Sequence, residues 1–176
     1  MAKILAIETS SKACSVALCL EGKDYSFHEI MPKQHTERLL GVIEEIMIKQ
    51  ELTYQGLDAI SVGCGPGSFT GTRLACSVVQ GLSYSSKVPA IKVSSMEVMA
   101  EHFKQNYHAK EVVTILNAHM GQLYIGHFLY NDELISYSET GIKIEDFDIS
   151  SFGLDTFFIG DGCDLVKDKL NKHTHK

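Results

Sequence analysis

The chain has 176 residues, and its 16 lysines and arginines against 22 aspartates and glutamates give a formal net charge of −6. Hydrophobic residues make up 44% of the sequence and charged residues 22%, which excludes a disordered, collagenous or coiled-coil chain. The acidic balance argues against stand-alone binding of nucleic acid, because that binding depends on basic side chains that meet phosphates. No apolar run has the length of a membrane-spanning helix or a signal peptide, so a cytoplasmic protein with no membrane partner is expected.

Cysteines and histidines show neither a disulfide framework nor a metal site. The five cysteines are scattered and form no C-x-x-C pair, which is typical of reduced thiols that pack as small hydrophobic residues. Two histidines four residues apart on a helix could share a metal ion, but His35 is followed at that spacing by Leu39. We therefore predict no metal site.

Strands and helices alternate in the first 105 residues in an order that predicts the fold. Short polar turns favour antiparallel pairing of the first three strands, and the intervening helices favour parallel pairing of the later ones. The predicted elements are strands at 3–8, 14–20 and 24–30, a helix at 35–50 with Thr36 as N-cap, a strand at 58–63, a helix at 68–83 capped by Ser68 or Thr70, a strand at 90–93 and a helix at 94–102. This order indicates an α/β, ribonuclease H-like fold with a mixed five-stranded sheet, as in the superfamily of actin, Hsp70 and sugar-kinase ATPases.

A second set of elements of the same kind follows residue 110. Its predicted members are strands at 112–116, 122–130, 133–137 and 157–159 and a last helix that runs through Leu170. The predicted domains are a first lobe at 1–105, a second lobe at 106–170 and a loose polar tail at 171–176.

Polar turns in each lobe are candidates for nucleotide binding. In ATPases of the actin-like fold, turns at these places hold phosphates, and a carboxylate there can orient a metal-bound water. The alternatives are an ordinary polar turn after a strand and, at 160–162, a simple tight turn. The candidate residues are Glu8, Thr9, Ser10, Ser11, Asn117, Gly160, Asp161 and Gly162.

The glycine-rich loop at 65–71 is the sharpest local motif. It lacks the spacing of a P-loop, of a G-x-G-x-x-G site and of a nucleophile elbow. The next helix carries small residues that would let another helix come close, at Gly71, Ala75, Ser77 and Gly81. Because Leu40 and Ile48 also widen the apolar stripe of the helix at 35–50, we predict that the two helices form an interface with another chain. Tight packing on the chain's own sheet is the alternative.

Four segments, in order and in register, resemble the TsaB family, which is also called YeaZ. They are KILAIETS at 3–10, HTERLL at 35–40, GPGSFTGTR at 65–73 and QGL at 80–82. The resemblance covers residues 1–105 and continues more weakly, through MGQLY at 120–124, to about Gly160.

The resemblance implies an actin-like ATPase fold that has lost catalysis and serves as a scaffold. TsaB proteins pair with a larger paralogue, the threonylcarbamoyl transferase TsaD, and with the small ATPase TsaE. Together they attach threonylcarbamoyl to the adenosine next to the anticodon in tRNAs that read codons beginning with A. The tRNA would be reached only through the complex, and a homodimer is the alternative assembly. The implied interface residues are His35, Thr36, Leu39, Leu40, Ile43, Ser68, Phe69, Thr70, Gly71, Arg73, Leu74, Ser77, Val78 and Gly81.

The resemblance gives this chain no catalytic residue, no metal and no cofactor of its own. ATP or ADP with magnesium is the candidate ligand at an interface shared with a partner. TsaD carries its metal on two histidines four residues apart, and the matching positions here are His35 and Leu39. The alternative function is a weak stand-alone ATPase that uses Glu8 and Asp161.

Three features depart from the usual family pattern. Glu8 stands where many members have aspartate. The turn at 117–122 reads N-A-H-M-G-Q instead of D-A-R-M-G-E, which removes two acids and an arginine and argues against an ion-dependent role there. The sequence stops soon after 160–162, so a shortened second lobe is expected.

Overall fold

The computed structural model describes residues 2–31 and 34–171, which form two compact units that divide between Ser95 and Met96. The elements of the first unit are β1 (Ile4–Glu8), β2 (Ala13–Leu20), β3 (Lys23–Ile30), α1 (His35–Lys49), β4 (Ala59–Gly63), α2 (Phe69–Ser86) and β5 (Ala90–Val93). Its sheet has the strand order β3-β2-β1-β4-β5, in which β1 runs antiparallel to β2 and parallel to β4. The mixed five-stranded sheet and the ribonuclease H-like fold are therefore confirmed.

The core of the first unit lies between this sheet and its helices. Alternate residues of β1, Leu5 and Ile7, are buried, as the period of two in a strand requires. The buried side of α1 follows the helical period, with Leu39, Val42, Ile43 and Met47 turned to the core. No helix in the described part of the chain is long and apolar enough to cross a membrane.

The N-terminal caps of α1 and α2 differ. Ser68 caps α2, because its hydroxyl oxygen accepts a hydrogen bond from the backbone N–H of Gly71 at 3.3 Å. Ser68 is one of the two residues predicted as the cap of this helix. The prediction that Thr36 caps α1 is wrong. The capping position is Gln34, and its side chain makes no capping hydrogen bond, so α1 begins one residue before Thr36.

The second unit repeats the strand arrangement of the first. Its elements are α3 (Ser95–Tyr107), whose first residue still belongs to the first unit, β6 (Glu111–His119), β7 (Gln122–Asn131), β8 (Glu133–Lys143), β9 (Phe157–Ile159) and α4 (Lys167–Asn171). The sheet order β8-β7-β6-β9 matches β3-β2-β1-β4, with β6 antiparallel to β7 and parallel to β9. Four strands are described here against five in the first sheet. Residue 171 ends α4, and the rest of the predicted tail lies outside the described residues.

The boundary between the units falls earlier than the predicted boundary at residue 105. Most of α3 belongs to the second unit because Met96 and Ala100 pack in one buried cluster with Phe128 and Tyr130 of β7. Apolar periodicity predicts a helix in this segment but does not tell which sheet its buried side will cover.

The five cysteines are free thiols in this structure. Cys14 is buried and the others are half-buried, which partly agrees with the expected packing as small hydrophobic residues. Burial raises the pKa of the thiols of Cys14 and Cys76, and it raises the pKa of Cys163 to about 11. These three thiols are accordingly poor nucleophiles at neutral pH, because the thiolate is the reactive form.

Tyr130 leads to a prediction about stability. Its ring is buried, and its hydroxyl has no hydrogen-bond partner among the residues that the structure describes. Burial, followed by the charges of Glu101 and Glu97, raises the pKa of this hydroxyl from 10.0 to about 12. Replacing Tyr130 by Phe removes an unsatisfied buried polar atom, so the free energy of unfolding should rise by about 1 kcal/mol.

The same substitution should change the pH dependence of stability. Because the pKa of Tyr130 is raised in the folded chain, the unfolded chain loses this proton first, and the free energy of unfolding falls between pH 10 and pH 12. Urea titrations between pH 10 and pH 12 should show a smaller fall in the free energy of unfolding for Tyr130→Phe. Tyr137→Phe, at an exposed tyrosine of β8, is the control and should behave as the unchanged chain. Equal stability and equal pH slopes in all three chains would contradict the prediction.

Candidate functional sites

The turn after β1 is closed by polar groups of the chain itself. Glu8 Oε1 accepts a hydrogen bond from the backbone N–H of Ser10 at 2.5 Å, and Glu8 Oε2 accepts one from the hydroxyl of Ser95 at 2.7 Å. The hydroxyl of Ser10 donates to Ser95 Oγ at 3.1 Å, and that of Thr9 donates to the carbonyl of Gly71 at 2.7 Å. Thr9 and Ser10 are buried, so their hydroxyls are directed into the protein.

The glycine-rich loop between β4 and α2 packs directly on this turn. A Cβ added at Gly67 would overlap the carbonyl of Ser10, and one added at Gly71 would overlap the carbonyl of Thr9. A Cβ at Gly63 would overlap the carboxylate of Glu8, and one at Gly65 would overlap the backbone nitrogen of Ser95. The demand for glycine is strongest at Gly65, Gly67 and Gly71, where the Cβ would meet backbone atoms, whereas at Gly63 it would meet the end of the flexible Glu8 side chain. Close packing within the chain is therefore sufficient to account for these glycines.

The polar groups of this turn are engaged with one another in this structure. Both carboxylate oxygens of Glu8 already accept hydrogen bonds, and the hydroxyls of Thr9 and Ser10 donate within the chain. The hydroxyl oxygen of Ser11 accepts a hydrogen bond from the backbone N–H of Ala13 at 3.0 Å. In residues 2–31 and 34–171 no group of three or more His, Cys, Asp or Glu could hold a metal ion. Nucleotide binding at this turn stays a prediction.

The second unit closes the end of β6 in a similar way. Asp161 Oδ1 accepts a hydrogen bond from the backbone N–H of Asn117 at 3.0 Å, and the N–H of Gly162 donates to the carbonyl of Ile115 at 2.9 Å. Gly160 has a φ of 112°, which favours glycine, and a Cβ there would overlap the same carbonyl. The structure thus brings the four candidate residues of this unit together, in a tight turn that packs on β6. A nucleotide-binding role for them likewise stays a prediction.

An exposed surface on α1 and α2 is the second candidate site. The two helices pack beside each other. Four large apolar side chains on them remain exposed, Leu40 by 57%, Ile48 by 67%, Phe69 by 69% and Tyr84 by 79%. We define the α1–α2 surface as the exposed residues Thr36, Leu40, Gly41, Glu44, Ile48, Phe69, Thr70, Arg73, Ser77, Gly81 and Tyr84. Exposed apolar side chains gathered on two neighbouring helices are typical of interaction sites.

This surface combines a stacked aromatic and cationic pair with two open glycines. The guanidinium of Arg73 lies 3.6 Å from the centroid of the Phe69 ring, within the range of a cation–π interaction. Around Gly41 and Gly81 a Cβ would meet nothing within 4 Å. A partner can therefore approach the helix backbone at these two glycines and contact a preformed aromatic and cationic group at the start of α2.

Burial divides the predicted interface residues into accessible and inaccessible ones. Leu39 and Ile43 are fully buried in the core, because the apolar stripe of α1 is wider than one side of the helix and these two residues take the side that faces the sheet. Three further members of the small and apolar set lie inward as well, with Gly71 and Ala75 buried and Leu74 packed on the core. The other predicted members remain at least partly accessible, with His35 and Val78 half-buried and Thr36, Leu40, Ser68, Phe69, Thr70, Arg73, Ser77 and Gly81 exposed.

The sequence interpretation missed Gly41, Glu44 and Tyr84 of the α1–α2 surface and Ser95 of the turn, and it used Ile48 only to judge the width of the apolar stripe. Glu44 lies one helical turn beyond Leu40 and Tyr84 one turn beyond Gly81, so both could have been found from helical spacing. Ser95 could not have been found from any local pattern, because its partners Glu8 and Ser10 are distant in the sequence.

Comparison with known proteins identifies the family. The family described as "TsaD: tRNA N6-adenosine threonylcarbamoyltransferase" matches residues 28–167. The tRNA threonylcarbamoyladenosine biosynthesis protein TsaB of Buchnera aphidicola from Schizaphis graminum is 32% identical over 169 residues, which cover 93% of this chain and 80% of that protein. The TsaB of Escherichia coli K12 is 34% identical over 78% of this chain, and the aligned part spans 59% of that relative.

A solved structure agrees with these relatives. YeaZ from Pseudomonas aeruginosa superimposes with a TM-score of 0.86 at 33% sequence identity, over 95% of this chain and 79% of that one. The sequence relatives and this structure name the family that the motifs at 3–10, 35–40 and 65–73 resemble. The chain therefore belongs to the TsaB (YeaZ) family of tRNA threonylcarbamoyladenosine biosynthesis proteins.

Proposed function

We propose that the chain is a non-catalytic scaffold subunit of the complex that attaches threonylcarbamoyl to the adenosine next to the anticodon in tRNAs that read codons beginning with A. Its partners would be the transferase TsaD and the ATPase TsaE, and its contribution would be to bind and activate the transferase. The tRNA would contact the partners, in keeping with the net charge of −6 on this chain.

The exposed α1–α2 surface is the observation that carries this proposal. Phe69, Tyr84 and Arg73 are residue types that are enriched at the core of protein interfaces, and all three are exposed here. The open backbone at Gly41 and Gly81 would let helices of a partner come close. A related transferase with the same type of fold would offer helices of similar arrangement, so we assign this surface to the pairing with TsaD.

The residues where catalysis would be expected support a scaffold role. At the position of the second metal-binding histidine of the transferase, this chain has Leu39, which is fully buried in its own core. The carboxylate of Glu8 is engaged by Ser10 and Ser95. These side chains stabilise the fold, and the chemistry is left to the partner.

Depletion and complementation test the proposed function. Cells depleted of this chain should lose threonylcarbamoyladenosine from bulk tRNA, and the nucleoside, measured by mass spectrometry, should return on re-expression. The tagged chain should also co-purify with TsaD. An unchanged nucleoside level after depletion would reject the proposal. Hydrolysis of ATP by the isolated chain, lost in Glu8→Ala, would favour a weak ATPase instead.

A further inference from the structure

The hydroxyl of Ser95 joins three segments of the first unit. Its oxygen accepts hydrogen bonds from the hydroxyl of Ser10 at 3.1 Å and from the backbone N–H of Gly65 at 3.4 Å, and its proton is donated to Glu8 Oε2 at 2.7 Å. A serine hydroxyl has one donor and two acceptor sites, so every site is used. Ser95 is only 6% exposed, which makes this a closed polar network within the protein.

Glu8 is held in this network from both sides. Its other oxygen accepts a hydrogen bond from the backbone N–H of Ser10 at 2.5 Å, and its carboxylate lies against the backbone of Gly63 at the end of β4. Hydrogen bonds to a charged acceptor are stronger than neutral ones. The network therefore ties the end of β1 to the start of the loop that leads into α2.

The loop is tied at two further points before and within the first turn of α2. The backbone N–H of Ser68 donates to the carbonyl of Ser10 at 2.5 Å, and the carbonyl of Gly71 accepts from the hydroxyl of Thr9 at 2.7 Å. Phe69 lies between these two points and is 69% exposed. The position of its ring on the α1–α2 surface thus depends on how the loop is held.

We infer that Ser95 is a positioning residue for the α1–α2 surface. It acts through Glu8 and Gly65, whose positions fix the loop at 65–68 and with it the first turn of α2, where Phe69 and Arg73 stack. The inference rests on the proposed function, because it gives the surface its role in binding TsaD. In this role the turn after β1 serves protein recognition, and the carboxylate of Glu8 orients a loop.

Substitution of Ser95 by Ala tests the inference. It leaves the carboxylate of Glu8, the hydroxyl of Ser10 and the N–H of Gly65 each without one partner. We expect the affinity for purified TsaD, measured by calorimetry, to fall about tenfold. Amide hydrogen exchange at 65–71 should become faster by a similar factor, and exchange in β2 and β3 should stay unchanged.

Three further variants separate positioning from a general loss of structure. Ser95→Thr retains the hydroxyl and should restore both the affinity and the slow exchange at 65–71. Glu8→Gln keeps the shape of the side chain, removes its charge and should reproduce the effect of Ser95→Ala. Ser15→Ala removes the hydroxyl of a half-buried serine of β2 that contacts His28, and should change neither measurement.

The outcomes distinguish this inference from the proposed function. Wild-type affinity and slow exchange at 65–71 in both Ser95→Ala and Glu8→Gln would overturn the role of Ser95. Faster exchange spread evenly over the first sheet would overturn it too, since that result means a merely structural role. If the unchanged chain fails to bind TsaD, the proposed function fails, and exchange at 65–71 alone decides whether Ser95 positions the loop.

Discussion

Replacing Ser77 by Arg should abolish co-elution with the transferase partner. Ser77 is exposed at the centre of the exposed side of α2, between Arg73 and Gly81 along the helix. In the proposed complex the new guanidinium would be buried without a counter-charge, and a charge buried unpaired costs about 3–5 kcal/mol. The affinity should therefore fall at least about a hundredfold, measured by calorimetry or by size-exclusion chromatography of the mixed proteins.

The fold itself should tolerate this change, because exposed substitutions away from special features usually alter stability by less than about 0.5 kcal/mol. Ser26→Arg introduces the same side chain at an exposed position of β3, outside the α1–α2 surface, and should leave co-elution intact. Normal co-elution of a folded Ser77→Arg chain would show that the partner binds elsewhere. Loss of co-elution in both variants would show that an added positive charge weakens binding wherever it is placed. That result would also count against the α1–α2 surface as the binding site.

Replacing Gly71 by Ala should destabilise the first unit strongly. The added Cβ would overlap the carbonyl oxygen of Thr9, a buried backbone atom that cannot move aside as the end of a flexible side chain can. It would also disturb the hydrogen bond from the Thr9 hydroxyl to the Gly71 carbonyl. Overpacking at so tight a contact should lower the free energy of unfolding by about 3 kcal/mol or more, measured by urea denaturation.

Gly81→Ala is the matched control, since it makes the same change in the same helix. A Cβ at Gly81 meets nothing within 4 Å, and alanine is the better helix former by about 1 kcal/mol, so this variant should be slightly more stable than the unchanged chain. The two substitutions are therefore expected to change the free energy of unfolding in opposite directions. Similar effects of both substitutions would mean that the loop does not pack on the turn after β1 as described.

The antiparallel and parallel pairing of strands in the first sheet could be predicted from the sequence because its rules are local. Short polar turns favour antiparallel neighbours, and helices between strands favour parallel ones. Both rules act within a few tens of residues, and the sheet follows them. The division of the chain at Ser95 could not be predicted in this way, since it depends on which sheet the apolar side of α3 covers.

The candidate sites could be predicted only in part, because local spacing does not decide which residues become buried. Helical spacing places Leu39, Leu40 and Ile43 together in the apolar stripe of α1, but a stripe wider than one side leaves open which residues face the core. The structure assigns Leu39 and Ile43 to the core and leaves Leu40 exposed. The contact of Ser95 with Glu8 depends on tertiary packing between positions 87 residues apart, which no spacing rule encodes.

The outer strands of the second sheet bear on solubility as well as architecture. β8 is an edge strand of 11 residues, almost all exposed, and includes the apolar Ile135 and Tyr137, so it could serve as a template for another strand. The chain limits this risk with charged residues along that edge, at Glu133, Glu139 and Lys143, and with an irregularity in the pairing of β7 and β8 beside Leu129. The opposite edge, β9, has only three residues. Engineering of this protein for higher expression should therefore leave the charges of β8 in place, because they guard the chain against edge-to-edge aggregation.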